Sequence, residues 1–165
     1  VAKVLDLQFI RVPVFIDTVK TSYGIIEGNF EEIIKFRKQI QAEHVALFTD
    51  IHVKHAEILS PHTITESAQL AIKEGSDGLI ITGKWTGDAP DIAELKDVRD
   101  AVAHFPIICG SGVDSKNIHK LFEYASGGIV STSLKEGVAK QGEVNVKGYE
   151  QRTEEKKVAE LMASI

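Results

Sequence analysis

The chain has 165 residues, 43% apolar and 26% charged, with a formal net charge of −5, which suits one soluble domain with a substantial core. It has no apolar run near the ~20 residues of a membrane span, no basic stripe that would mark a nucleic-acid binder, and no pattern of a signal peptide. Its single cysteine, Cys109, excludes an internal disulfide framework and a cysteine-only zinc site; within Pro106-Ile107-Ile108-Cys109 it reads as a packed core thiol.

Short β-rich runs alternate with longer helical patterns along the chain. Val1–Leu7 reads as the end of an earlier helix, and since the chain opens on Val1 its true N-terminus is taken to be missing. Five runs read as strands: Gln8–Phe15, Val45–His52, Gly78–Gly83, Pro106–Gly110 and Gly128–Thr132. Each is short, nearly continuous in apolar residues, and closed by polar residues or glycine, as in a parallel sheet buried on both faces. Asn29 is placed to cap a helix through about Gln41, with Phe30, Ile33, Ile34 and Ile40 inward. Thr63 or Thr65 starts the next helix, which Gly75 stops. Asp91 opens a third that carries Ile92, Leu95, Val98 and Val102 on one face. Asp114 or Ser115 caps a fourth with Ile118, Leu121, Phe122 and Ala125 at 3-4 spacing. A last helix is expected from about Tyr149 to Met162.

Five βα units with short links point to a parallel α/β sheet, either a barrel or a doubly wound sheet. A complete (β/α)8 TIM barrel usually takes ~250 residues. Five units in residues 1–165 fit the last five of eight, read as a single domain. From the pattern alone, a five-stranded flavodoxin-like sheet of order 2-1-3-4-5 is equally open.

In either fold the site lies at the carboxyl ends of the strands, where polar residues collect. Strand alternation predicts Phe48, Asp50 and His52 on one face. With Lys54 and His55 they form the densest group of ionisable residues in the chain, able to do acid–base work or to hold a divalent metal; a structural cluster, with Asp50 paired to Lys54, is the plain alternative. Arg11, in an otherwise apolar strand, needs a partner: an anionic substrate, Asp50 or Glu27. Thr82, Gly83, Thr86 and Gly87 suit a loop whose backbone comes close to a ligand, and Trp85 between them could stack or act as a lid. Gly110-Ser111-Gly112 ends the fourth strand, and Ser131-Thr132-Ser133 the fifth. Glycine amides, hydroxyls and a nearby helix start make an anion cradle. In barrels, the loops after strands seven and eight commonly bind phosphate.

These residues resemble the BtpA family, including its SgcQ-like members. The resemblance rests on Phe9-Ile10-Arg11-Val12, Gly24-Ile25-Ile26-Glu27-Gly28, Asp50-Ile51-His52-Val53-Lys54-His55-Ala56, Thr82-Gly83 with Thr86-Gly87, Gly110-Ser111-Gly112-Val113 with Asn117, and Thr132-Ser133-Leu134-Lys135. It implies a TIM barrel of the ribulose-phosphate-binding type, with the first three βα units absent from this chain. Members are associated with photosystem I biogenesis, and others occur where there is no photosynthesis. Pro13 stands where the family pattern has a polar residue, and Ser131 where it has glycine.

Two functions are thereby expected. The first is an enzyme-like barrel binding a phosphorylated small molecule. Gly110, Ser111, Gly112, Ser131 and Thr132 would hold the phosphate, Asp50, His52 and Lys54 would form the chemical group, and Arg11 and Glu27 would orient. The second is a non-catalytic assembly factor that works through protein partners. An intracellular, cytoplasmic setting and room for a homo-oligomer complete the expectation.

Overall fold

The computed structural model of the chain describes residues 1–137 and 152–165. Five parallel strands, β1 (Phe9–Val12), β4 (Ala46–Ile51), β6 (Gly78–Ile81), β7 (Ile107–Cys109) and β8 (Gly127–Gly128), pair in sequence order as β1-β4-β6-β7-β8. That order removes the flavodoxin-like alternative, which needs a strand inserted out of sequence. Between and after the strands lie α1 (Phe30–Gln39), α2 (Ile64–Lys73), α3 (Ile92–Val102), α4 (Ile118–Phe122) and α5 (Glu155–Met162).

The helix starts follow from local chemistry. The Asn29 side chain accepts from the Glu32 amide. Thr63 and Glu66 form a reciprocal capping box. Asp91 accepts from the Ala93 and Glu94 amides. Gly75, at φ +101, ends α2 in the left-handed region that favours glycine. The fourth helix departs from expectation. Asp114 accepts from the Lys116 and Asn117 amides, and this turn delays the helix to Ile118. Val1–Leu7 forms a single turn closed by Leu5 N donating to Val1 O at 3.1 Å. The final helix starts at Glu155, and residues 149–151 of the expected helix lie outside the described residues.

A second sheet was not foreseen. β2 (Val19–Thr21), β3 (Gly24–Ile26) and β5 (Glu57–Ile58) form an antiparallel sheet of order β3-β2-β5 from the excursions that follow β1 and β4. Its footing is polar: Asp17, buried, meets His62 Nδ1 at 3.1 Å, and the Thr18 amide donates to Ser60 Oγ at 2.8 Å.

Strand alternation divides the parallel sheet into two faces. Leu47, Ile51, Leu79, Ile81, Ile107 and Cys109 join Ala68, Ala71, Leu95, Val98, Ile118 and Leu121 in one buried cluster between sheet and helices. Cys109 is the packed thiol expected, with burial pushing its pKa up to about 12. On the opposite face Phe9 and Phe48 stack with ring centroids 4.8 Å apart. Arg11, Asp50, Ile80 and Gly110 continue that face toward the carboxyl ends of the strands.

Candidate functional site

Arg11 and Asp50 are brought together from neighbouring strands. Arg11 Nε and Nη2 donate to the two Asp50 carboxylate oxygens, each at 2.7 Å, a bidentate fork that gives direction as well as charge. The Asp50 side chain is fully enclosed, whereas Arg11 keeps about a third of its surface. Burial raises the Asp50 pKa, and the guanidinium opposes that rise; the carboxylate in turn raises the Arg11 pKa. Of the partners open to Arg11, the structure selects Asp50. Glu27 is exposed and makes no hydrogen bond or ion pair among the described residues, so its expected place beside Arg11 is not met.

His52 does not share the face of Asp50. Its φ of +50 breaks strand alternation just past Ile51, and its Nε2 lies 3.5 Å from Ser67 Oγ on α2. It has turned into the helix layer, which corrects the expectation of an inward Asp50–His52 pair. His55, also left-handed at φ +61, ties this loop to the next through Nε2 and Thr86 Oγ1 at 3.1 Å. Lys54, half-buried, turns toward the mouth. Its pKa is lowered by burial and by Arg11, with Asp50 opposing. Among the described residues no three His, Cys, Asp or Glu side chains gather as metal ligands would.

A cavity of about 580 Å³ opens at the carboxyl ends of the strands. Arg11, Lys54, Thr86 and Gly87 line it, together with Gly110, Ser111 and Gly112 after β7 and Ser131, Thr132 and Ser133 after β8. Two parts of the predicted site thus meet in one space. Lys116, Lys135 and Lys157 also face it, against Asp114 and Glu160, a cationic excess among the described residues in a chain of net charge −5. Lys135 stands in the Thr132–Lys135 stretch that carries the family resemblance, but Lys116 and Lys157 carry no sequence signal, because they lie far apart in the chain and only the fold collects them.

The loop residues divide by what holds them. Ser111 Oγ donates to Asp88 O at 2.7 Å and accepts from the Gly83 amide at 3.2 Å. Its hydroxyl therefore fastens the β6 loop to the β7 loop, which differs from its expected role as a phosphate ligand. A Cβ on Gly83 would stand 2.5 Å from Asp88 O, and one on Gly112 only 2.1 Å from Ala89 N. Both positions exclude side chains because the Asp88–Ala89 backbone lies on them. Gly112 is also at φ +66. Ser133 Oγ donates to Val113 O at 2.7 Å and fixes the 3-10 turn Thr132–Leu134 beside the β7 loop. Ser131 is exposed and Thr132 half-buried at the cavity wall. The Thr82 hydroxyl is buried without a partner among the described residues.

Comparison with known proteins follows the same lines. The model of the BtpA family matches residues 1–158. The photosystem I biogenesis protein BtpA of Synechocystis is 36% identical over 136 residues, covering 82% of this chain and 47% of that protein. An uncharacterised protein of Pyrococcus horikoshii is 35% identical over 167 residues, covering 100% of this chain and 60% of that protein. The chain therefore spans about half the length of the curated relatives it matches. Among solved structures, N-(5'-phosphoribosyl)anthranilate isomerase from Pyrococcus furiosus aligns with a TM-score of 0.55 at 15% identity, over 99% of this chain and 64% of that one. The native KDPGal structure aligns at 0.54 and 14% identity, over 97% and 59%. Those likenesses concern the fold, an α/β sheet of the TIM-barrel type. No helix of the described residues is long and apolar enough to cross a membrane. On the family match and the identity to its relatives, the chain belongs to the BtpA family.

Proposed function

We propose that the chain contributes the last five βα units, as one domain, of a (β/α)8 barrel that binds a phosphorylated small molecule at its carboxyl-end mouth. The observation that carries this reading is the single cavity in which Arg11 and Lys54 face the glycine and hydroxyl loops after β7 and β8. Backbone amides of Gly112 and the Ser131–Thr132 turn supply donors, whereas the Gly110 amide is taken by Ile81 O at 2.8 Å and Gly110 contributes only space at the wall; the Thr132 hydroxyl adds a donor, and the surrounding lysines supply charge. Arg11, held by Asp50, orients the other end of the ligand. The cavity volume falls within the range of small-molecule sites. An enzyme is favoured over a scaffold by the position of Lys54, half-buried on the cavity wall opposite the glycine and hydroxyl loops, where burial and Arg11 disfavour its charged form.

Calorimetric titration of the intact protein with inorganic phosphate and with glycerol phosphate tests this. Binding that weakens with added salt and is lost when the β8 turn carries a negative charge supports the site. Absence of binding to either compound removes it. The Synechocystis relative, a photosystem I biogenesis protein by name, favours a second reading, assembly through protein partners. A partner complex that withstands substitution of both Lys54 and Thr132, with no phosphate binding in the parent protein, would select that reading.

A further inference from the structure

We propose that Lys54 is an amine nucleophile that forms an imine with the carbonyl carbon of a phosphorylated aldehyde or ketone held in the cavity. This rests on the phosphate reading above and adds to it the reacting group and the substrate class.

The placement of neighbouring groups leads here. Both oxygens of Asp50 are occupied by Arg11 at 2.7 Å, so that carboxylate is already committed to a different cation. Among the described residues no carboxylate lies within ion-pair distance of Lys54, which nevertheless lines the same cavity as Gly110 and Thr132. Burial and the Arg11 guanidinium both disfavour its ammonium form. A lysine so placed loses its proton more readily, which is how an amine becomes a nucleophile. Several rival groups are engaged elsewhere: the His55 ring is on Thr86, His52 faces α2, Cys109 is sealed on the helix side of the sheet, and Lys157 donates to Lys135 O and Gly137 O; Lys116 and Lys135 share the wall and are the amines the test must separate from Lys54. A phosphate in the loops after β7 and β8 would leave the carbon skeleton of a small sugar phosphate extending toward Lys54, within one cavity of about 580 Å³.

The step needs no oxidant or reductant. The Lys54 nitrogen adds to the carbonyl carbon and the carbonyl π electrons move to oxygen. Two protons, replacing the two that nitrogen gives up, reach that oxygen, and it leaves as water while the carbon–nitrogen double bond forms. The phosphate stays attached throughout.

Borohydride trapping provides the test. The intact protein is incubated at pH 7.5 with glycolaldehyde phosphate or with glycolaldehyde, reduced, and mapped by peptide mass spectrometry. We expect one dominant adduct, on Lys54, formed at least severalfold faster than on Lys116 and Lys135, which line the same cavity, because burial and the Arg11 guanidinium disfavour the Lys54 ammonium. It should be suppressed by excess inorganic phosphate and absent from Lys54→Arg. Mapping within the parent protein keeps the test valid even if that variant folds poorly. Adducts spread evenly over surface lysines, or an undiminished yield in Lys54→Arg, overturn the proposal. Phosphate binding by calorimetry without an adduct on Lys54 overturns the imine and leaves the phosphate site standing. Selective labelling of Lys54 by both aldehydes alike, with no phosphate competition, keeps the amine and overturns the phosphorylated substrate.

Discussion

Asp50 and Lys54 stand four residues apart and should respond oppositely to substitution. Asp50→Asn keeps the shape but removes the charge that the Arg11 fork requires. Breaking a buried pair costs ~3–5 kcal/mol, and the partial exposure of Arg11 reduces that to about 2–4 kcal/mol. Urea denaturation should show this loss, whereas binding of inorganic phosphate should change little, because the proposed cradle lies on other loops. Lys54→Met should behave in reverse. The folded state holds the Lys54 pKa below its ordinary 10.5, so the charged form weighs against folding at neutral pH. Its deprotonation relieves that burden as pH rises through the lowered pKa toward 10.5. The variant should therefore be at least as stable as the parent at pH 7, and its advantage should shrink by pH 10. A Lys54→Met protein clearly less stable at pH 7, with the deficit unchanged at pH 10, would show that packing of the Lys54 stem outweighs its charge. The sequence placed Asp50 on the inner face because alternation holds through Ile51. It misdirected His52 because nothing in a β-rich run announces a left-handed residue at its end. Arg11 was legible as a cation needing a partner, though the choice of Asp50 over Glu27 depended on strand register.

At the scale of elements, the β6 and β7 loops act as one clamp. Ser111→Ala removes a hydroxyl that satisfies both Asp88 O and the Gly83 amide. Leaving a fully buried group unpaired costs about 1–3 kcal/mol; these two are part-buried, so the loss should fall toward about 1 kcal/mol, and thermal unfolding should register it. Gly112→Ala is harsher, because its Cβ would meet backbone at 2.1 Å in a left-handed conformation. We expect it to displace the 83–89 loop and to weaken phosphate binding together with stability. A variant that kept parental stability and binding would refute the clamp. Both glycines are visible in the sequence, Gly83 as a place for close ligand approach and Gly112 as part of an anion cradle. Their neighbours in the fold are Asp88 and Ala89, five or six residues beyond Gly83, a loop-on-loop contact with no periodic signature. The β2-β3-β5 sheet was missed for a related reason: strands of two or three residues, mostly exposed, carry too little alternation to read.

Across the whole molecule, the ordered parallel sheet was legible because each strand is a short apolar run, whereas the cavity was not, since its cations come from distant loops. The sheet leaves β1 and β8 each with one neighbour, and its inner face exposes Phe9 at 49% and Ile129 at 38%. Unpaired edges beside an apolar face favour association. In isolation these 165 residues should self-associate, giving a thermal midpoint that rises with protein concentration; a monodisperse monomer by light scattering would contradict that. The proposed phosphate site is tested most directly by Ser131→Asp, a charge set on an exposed residue of the cavity wall. Two like charges ~4 Å apart repel by about 1 kcal/mol in water and about 4 kcal/mol at an effective dielectric of 20. Calorimetry with glycerol phosphate should show affinity falling at least fivefold while the unfolding midpoint stays within about 2 °C of the parent. Unchanged affinity in a folded Ser131→Asp protein would place any bound phosphate away from the β8 turn and contradict the proposed site.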